Sequence, residues 1–219
     1  MLADKYRPRT WAEVVGNEKA VKVLQRLAHR ALETGDPLVA LLSGPSGVGK
    51  STCAHILARE LGAHDTETTV IPSGECSIDR LRSLADDWQY SSLFGAKALI
   101  IEEINTATPA AVQFLLTFLE RLPKGRVVVM TSNVRPDELF AGVYNSPFTS
   151  RAHCVDFTSQ GLATRKGEPG PGALRVKRVM EQEGFDGKPA SYYVRIVNEC
   201  HGNIRDAIHL CEREALAEA

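Results

Sequence analysis

The stretch at 37–63, PLVALLSGPSGVGKSTCAHILARELGA, constrains the fold more than any other part of the chain. It opens on an apolar run (37–44) that reads as a strand buried on both faces, and it ends in an amphipathic segment closed by Gly62, which reads as a helix. Between them, Gly44-Pro45-Ser46-Gly47-Val48-Gly49-Lys50-Ser51 satisfies G-x-x-x-x-G-K-[ST] at every defined position, in the strand-to-helix context that the pattern needs. Glycines let successive amides turn inward around phosphate oxygens, and the helix start adds partial positive charge. Lys50 is placed to reach the terminal phosphates, Ser51 to ligate a magnesium ion, and Thr52 adds a second hydroxyl. The expected occupant is ATP with Mg2+.

The flanking sequence extends this unit into an α/β fold. Further apolar runs fall at 68–72 (TTVIP), 96–103 (AKALIIEE), 125–133 (GRVVVMTSN) and 153–157 (HCVDF), with helical patterns between them, notably 108–122. A helix also precedes the first run, with Val21, Leu24, Leu27, Ala28, Ala31 and Leu32 at helical spacing and Gly35 as its stop. Apolar strands alternating with amphipathic helices predict a parallel sheet covered on both faces. Beyond 157 the texture changes. Residues 158–172 hold glycines and prolines that break regular elements, and three helical patterns without a strand candidate follow. The expected division is an α/β nucleotide-binding domain at 1–157, a Gly/Pro-rich linker at 158–172 and a small all-helical lid at 173–219.

Two further strands end in polar groups at the edge where open α/β sheets bind ligands. The run ALIIEE delivers Glu102 and Glu103: one acid to hold magnesium, the next to polarise an attacking water. The run VVVMTSN ends in Thr131, Ser132 and Asn133, and Asn133 is expected beside Glu103, where it helps to orient that water.

With LADKYRPRTWAEVVGNEKAVKVL at the N-terminus, these parts resemble a AAA+ ATPase, and more narrowly the small subunits of the sliding-clamp loader, the replication factor C family. The resemblance implies an adenine-binding box at Tyr6, Arg7, Pro8, Val14, Val15 and Gly16. It aligns SIDRLRSLADDW with an Ile-Asp-x-x-Arg stretch facing the DNA backbone, which implicates Arg82 and its neighbour Arg80. The segment NSPFTSRAHCVDF is similar to the Ser-Arg-Cys signature, with Ser150 and Arg151 in place and Ala152 where cysteine is usual. That makes Arg151 a finger acting in trans on a neighbour's nucleotide. In the last helix GNIRDAIHLCE resembles the second sensor, with Arg205 contacting the nucleotide of its own chain. The partners implied are other AAA+ subunits, primed or duplex DNA and a sliding clamp.

The chain departs from that family's pattern at Glu102, where aspartate is usual, which implies slower hydrolysis because magnesium demands near-ideal octahedral geometry. The sequence also leaves no residues for a helical collar after the lid. Two other readings therefore stay open: another AAA+ DNA-remodelling ATPase, for branch migration or fork maintenance, and an ATP-dependent switch subunit with weak hydrolysis. A small-molecule kinase is disfavoured by the separate arginines 151 and 205 and the absence of an acceptor pocket signal.

Composition adds limits. No apolar stretch in the 219 residues approaches the ~20 needed for a membrane helix, so no membrane partner and a cytoplasmic location, or a nuclear one in a eukaryote, are expected. The five scattered cysteines show neither C-x-x-C pairs nor zinc spacing and read as buried thiols. A formal net charge of -1 leaves DNA binding to local patches or to an assembly.

Overall fold

The five apolar runs become one parallel sheet in the computed structural model, which describes residues 1–72, 74–90, 92, 95–135, 138, 150–185 and 187–218. Its strands are β1 (Leu38–Ser43), β2 (Ala63–Ile71), β3 (Ala96–Ile101), β4 (Arg126–Ser132) and β5 (His153–Asp156), in the spatial order β2-β3-β4-β1-β5. Strands β1, β3 and β4 are buried along their whole length, so their centres are continuous apolar runs rather than alternation, with the buried Lys97 and Arg126 near the starts of β3 and β4. The edge strand β2 has a single strand neighbour and is longer than its apolar run. Its polar residues 64–67 reach solvent, where the edge tolerates them.

Helices α2 (Glu18–Thr34), α3 (Lys50–Glu60), α4 (Ile78–Asp87) and α5 (Pro109–Leu119) alternate with these strands, after a single N-terminal turn, α1 (Leu2–Lys5). Each boundary has a local cause. Gly35 at φ 67 ends α2, and its amide donates to Ala31 O at 2.8 Å. Ser77 caps α4, and Thr108 with Pro109 opens α5. The buried face of α2 is narrower than its spacing suggests: Ala20, Leu24 and Ala28 are buried, whereas Leu32 is 58% exposed. One core cluster joins Leu41, Leu99, Ile101, Val128 and Met130 of the sheet to Leu81 of α4 and Leu115 of α5.

Contacts divide the chain into two compact units. One is Lys19–Gly44 with Cys53–Asp156, which holds the sheet; the other is Met1–Glu18, Pro45–Thr52 and Phe157–Ala219. The second unit thus takes in the N-terminal segment and the phosphate loop besides the three C-terminal helices, α6 (Pro171–Gln182), α7 (Ala190–Glu199) and α8 (Ile204–Glu218). The stretch expected as an irregular linker is ordered. Thr164–Arg165 (β6) and Glu168–Pro169 (β7) pair as an antiparallel hairpin, Leu162 and Ala163 are buried, and α6 already begins at Pro171. Close approach explains two of its glycines: a Cβ on Gly170 would lie 2.5 Å from Leu162 O, and one on Gly172 2.6 Å from Ile204 Cδ1.

The cysteines divide differently from the expectation. Cys53, Cys76 and Cys211 are buried, Cys200 is half-buried and Cys154 is exposed. Burial pushes the Cys53 thiol up to about 12. Among the described residues no helix is long and apolar enough to cross a membrane.

Candidate functional site

The phosphate loop has the backbone its glycines permit. Gly44, Gly47 and Gly49 sit at φ 138, 71 and 103, conformations that side chains disfavour. Lys50 opens α3 and is buried at 7% exposure, and its Nζ donates to the carbonyl of Pro45. An ammonium buried at a helix start, beside a run of glycines, is a donor set suited to phosphate oxygens. Ser51 and Thr52 follow it half-buried, Val48 is buried, and Pro45 and Ser46 are exposed.

The loop belongs to the same compact unit as the N-terminal segment and the three C-terminal helices, and specific bonds tie them together. Asn17, left-handed at φ 51, donates from Nδ2 to Val48 O at 3.4 Å and to Thr158 O at 3.1 Å, and it accepts from Thr158 N at 2.8 Å. The amide of Ile204, the first residue of α8, donates to Gly47 O at 3.3 Å. A Cβ on Gly47 would stand 1.7 Å from Asn203 Oδ1. Asn203 in turn caps α8, accepting from Asp206 N at 3.1 Å. Arg205, the expected sensor, lies exposed in the first turn of that helix. Neither contact is expected from the sequence, where Asn17 reads only as the residue before a helix; both asparagines lie far along the chain from the loop they touch.

In the expected adenine box, Tyr6, Arg7, Pro8, Val14, Val15 and Gly16 are all half-buried. The Tyr6 hydroxyl and Lys5 Nζ both donate to Glu183 Oε1 at 2.5 Å, and Arg175 Nη2 donates to the Tyr6 carbonyl at 2.6 Å. The two donors, Lys5 first, hold the Glu183 carboxyl below its usual range, and the carboxylate raises the Tyr6 phenol. Gly16, at φ 72, packs against Leu162, whose Cδ2 would be 2.4 Å from an added Cβ.

In the sheet unit, β4 lies between β1 and β3. Ile101, Met130 and Leu41 form one row across the three strands, so the acids emerge one residue beyond it, at the edge where β1 ends. Glu102 and Glu103 are half-buried there, and Asn133 Nδ2 donates to Glu103 Oε1 at 2.8 Å. The Glu103 backbone is left-handed at φ 51 and ψ 57, and its amide donates to the buried Thr131 hydroxyl at 3.1 Å. A non-glycine residue in that region costs energy, and it persists here because neighbouring strands over-determine it. The structure therefore brings Glu103 and Asn133 together.

Three expected arginines are engaged within the same unit. Arg151 donates from Nε to Glu120 Oε1 at 2.9 Å, and its Nη2 also reaches that oxygen. Of the segment NSPFTSRAHCVDF, residues 145–149 lie outside the described residues. Arg80 pairs with Glu75 at 2.6 Å. Arg82 lies 3.7 Å from Asp79, with its guanidinium 5.9 Å from the Phe114 ring centroid. Glu120 was not foreseen; on its helix it reads as an ordinary surface acid.

The replication factor C large subunit of Methanosarcina mazei is 29% identical over 218 residues, covering 94% of this chain and 32% of its own. The DNA polymerase III subunit tau of Escherichia coli is 26% identical over 238 residues, covering 97% of this chain and 34% of its own. The branch migration complex subunit RuvB of Anaeromyxobacter sp. is 36% identical over 122 residues, covering 54% of this chain and 33% of its own. The chain thus spans about a third of the length of these relatives. Among solved structures, the RuvB branch migration motor of Thermotoga maritima superposes with a TM-score of 0.71 at 24% identity, covering 95% of this chain and 64% of its own. A variant of that protein reaches 0.74 at 22% identity, which shows the shared α/β P-loop fold. The resemblance to clamp-loader ATPases is supported by these names. Residues 40–151 match the "ATPase family associated with various cellular activities (AAA)", and the chain belongs to that family.

Proposed function

We propose that this chain is an ATP-hydrolysing subunit of a clamp-loader-type complex, which works with like subunits to place a sliding clamp on primed DNA. The observation that carries the hydrolytic part is the Asn133 to Glu103 hydrogen bond at the ends of the adjacent strands β4 and β3. A carboxylate held by an amide is suited to orient and polarise water for attack on the terminal phosphate.

In this reading Gly44 to Thr52 cradle the phosphates, and Lys50 neutralises charge on the one that is transferred. Tyr6, Arg7, Pro8, Val14, Val15 and Gly16, all half-buried, would line the base. Magnesium would be held by Ser51 and Glu102, one hydroxyl and one carboxylate. That sparse set fits an ion that keeps waters and takes phosphate oxygens as further ligands. The ion would supply charge neutralisation at the phosphates. The longer reach of Glu102 predicts slower turnover than an aspartate would give.

Arg151 would serve the neighbouring subunit's nucleotide, leaving Glu120 when the interface closes. Arg205 would report the nucleotide state of its own chain. Arg80 and Arg82 would follow a DNA backbone, a contact that is tolerant of sequence and sensitive to salt. In cells the protein would work in the cytoplasm, or the nucleus of a eukaryote.

A second reading is favoured by the 36% identity to a RuvB subunit and by the match to RuvB structures: a motor on branched DNA. Turnover measured on primed DNA with a sliding clamp, and separately on a four-way junction, tests the two. Stimulation requiring the clamp supports the first. Stimulation by the junction alone, with indifference to any clamp, overturns it in favour of the second.

A further inference from the structure

Helix α2 carries a basic stripe that none of the groups above uses. Lys19, Lys22, Arg26 and Arg30 are spaced by three, four and four residues, which at 3.6 residues per turn places them on one face. All four are exposed, on the side opposite the buried Ala20, Leu24 and Ala28. An open depression along the same face is lined by Lys22, Gln25, Arg26, His29, Arg30 and Glu33. The one acid there, Glu33, is taken by His29 at 3.3 Å. Among the described residues the side chains of Lys19, Lys22, Arg26 and Arg30 make neither an ion pair nor a hydrogen bond, whereas Arg59, Arg80, Arg151, Arg165 and Arg195 each have a carboxylate partner.

Four unneutralised cations in a row, on a chain of formal net charge -1, are a local field rather than a property of the whole molecule. At 1.5 Å per residue the stripe is about 16 Å long, against one charge per ~3.4 Å along each DNA strand. It therefore matches several consecutive phosphates. The face has no aromatic residue, and the large apolar side chains exposed on α2, Val23 and Leu32, stand nine residues apart and form no patch. A protein interface core would be expected to carry such a patch.

We propose that this face of α2 is a second nucleic-acid contact, gripping a DNA phosphodiester backbone through Lys19, Lys22, Arg26 and Arg30, separate from Arg80 and Arg82 on α4. The contact needs no nucleotide and no base identity. It stands whether the complex loads a clamp or moves a junction.

The test compares wild type with the Lys19→Gln, Lys22→Gln, Arg26→Gln, Arg30→Gln variant in fluorescence-anisotropy titrations of labelled duplex and single-stranded DNA across a salt series, with a labelled poly-glutamate peptide as the acidic-protein control. The expected result is a loss of at least tenfold in DNA affinity. The slope of log K against log salt on duplex should fall by about 3.6, near 0.9 for each of the four lost contacts, and by less on single strands. Thermal melting and DNA-free ATP turnover should stay at wild-type values. Unchanged affinity and slope in the variant overturn the proposal. So does poly-glutamate binding as tight as DNA at equal salt, which would make the stripe a docking site for an acidic protein.

Discussion

Asn133 donates to Glu103 at 2.8 Å across the ends of two adjacent strands, β4 and β3, and the Glu103 backbone is held left-handed at that point. The pairing fixes the carboxylate in place at the end of β3, at some conformational cost. Glu103→Gln keeps the shape and removes the base, so turnover should fall by about 10²–10⁴ while ATP binding persists. Asn133→Ala should give a smaller fall, because the carboxylate remains but is less well oriented. Single-turnover hydrolysis beside nucleotide-binding titrations measures both.

In the proposed mechanism Arg151 is the finger that Glu120 holds in its own subunit until a neighbour claims it. Arg151→Ala should lower turnover by about 10³ or more at high protein concentration, the scale of an arginine finger. Mixing that variant with Lys50→Ala should restore part of the activity, since each supplies what the other lacks at one kind of interface. No recovery on mixing would mean that the arginine acts within its own chain or not at all.

Gly47 cannot gain a side chain cheaply: its φ is 71 and a Cβ would meet Asn203 Oδ1 at 1.7 Å. Gly47→Ala should destabilise the nucleotide-free protein by about 1–3 kcal/mol. Asn203→Ala in the same chain should return part of that loss, leaving the backbone strain. A double-mutant cycle from denaturant melts reads the coupling, and strict additivity would contradict the contact.

Glu183 gives a pH signature. Lys5, and then Tyr6, depress its folded pKa, so its stabilisation is present above the unfolded value of about 4.3 and is lost as pH falls through the folded one. Glu183→Gln should melt below wild type at pH 7, and the two curves should converge as the pH drops below about 4. Parallel melting temperatures across the series would argue against the linkage.

Much of this was legible in the sequence because it is local. An apolar run, a glycine turn and an amphipathic segment mark the phosphate loop, and runs ending in Glu102-Glu103 and Thr131-Ser132-Asn133 point to the adjacent strand ends where Asn133 meets Glu103. The order β2-β3-β4-β1-β5 was not legible, because parallel strands pair through crossovers and their pairing leaves no local mark. Nor were the contacts of Asn17 with Val48 and Thr158, or of Asn203 with Gly47, since an asparagine in a loop looks the same whether it caps, turns or clamps. The hairpin at 164–169 was hidden by its own composition. Glycine and proline signal a break, and here the same residues permit a tight turn and close packing under Leu162.

In the proposed mechanism a neighbouring subunit completes hydrolysis and DNA gates it. The most direct test is steady-state ATP turnover per subunit over a range of protein concentrations, with and without primer-template DNA, for wild type and Arg151→Ala. Turnover should rise with both protein and DNA in the wild type and stay flat in the variant. Turnover that is flat and near zero in the wild type, despite tight ATP binding, would contradict the account and leave a nucleotide-dependent switch subunit in its place.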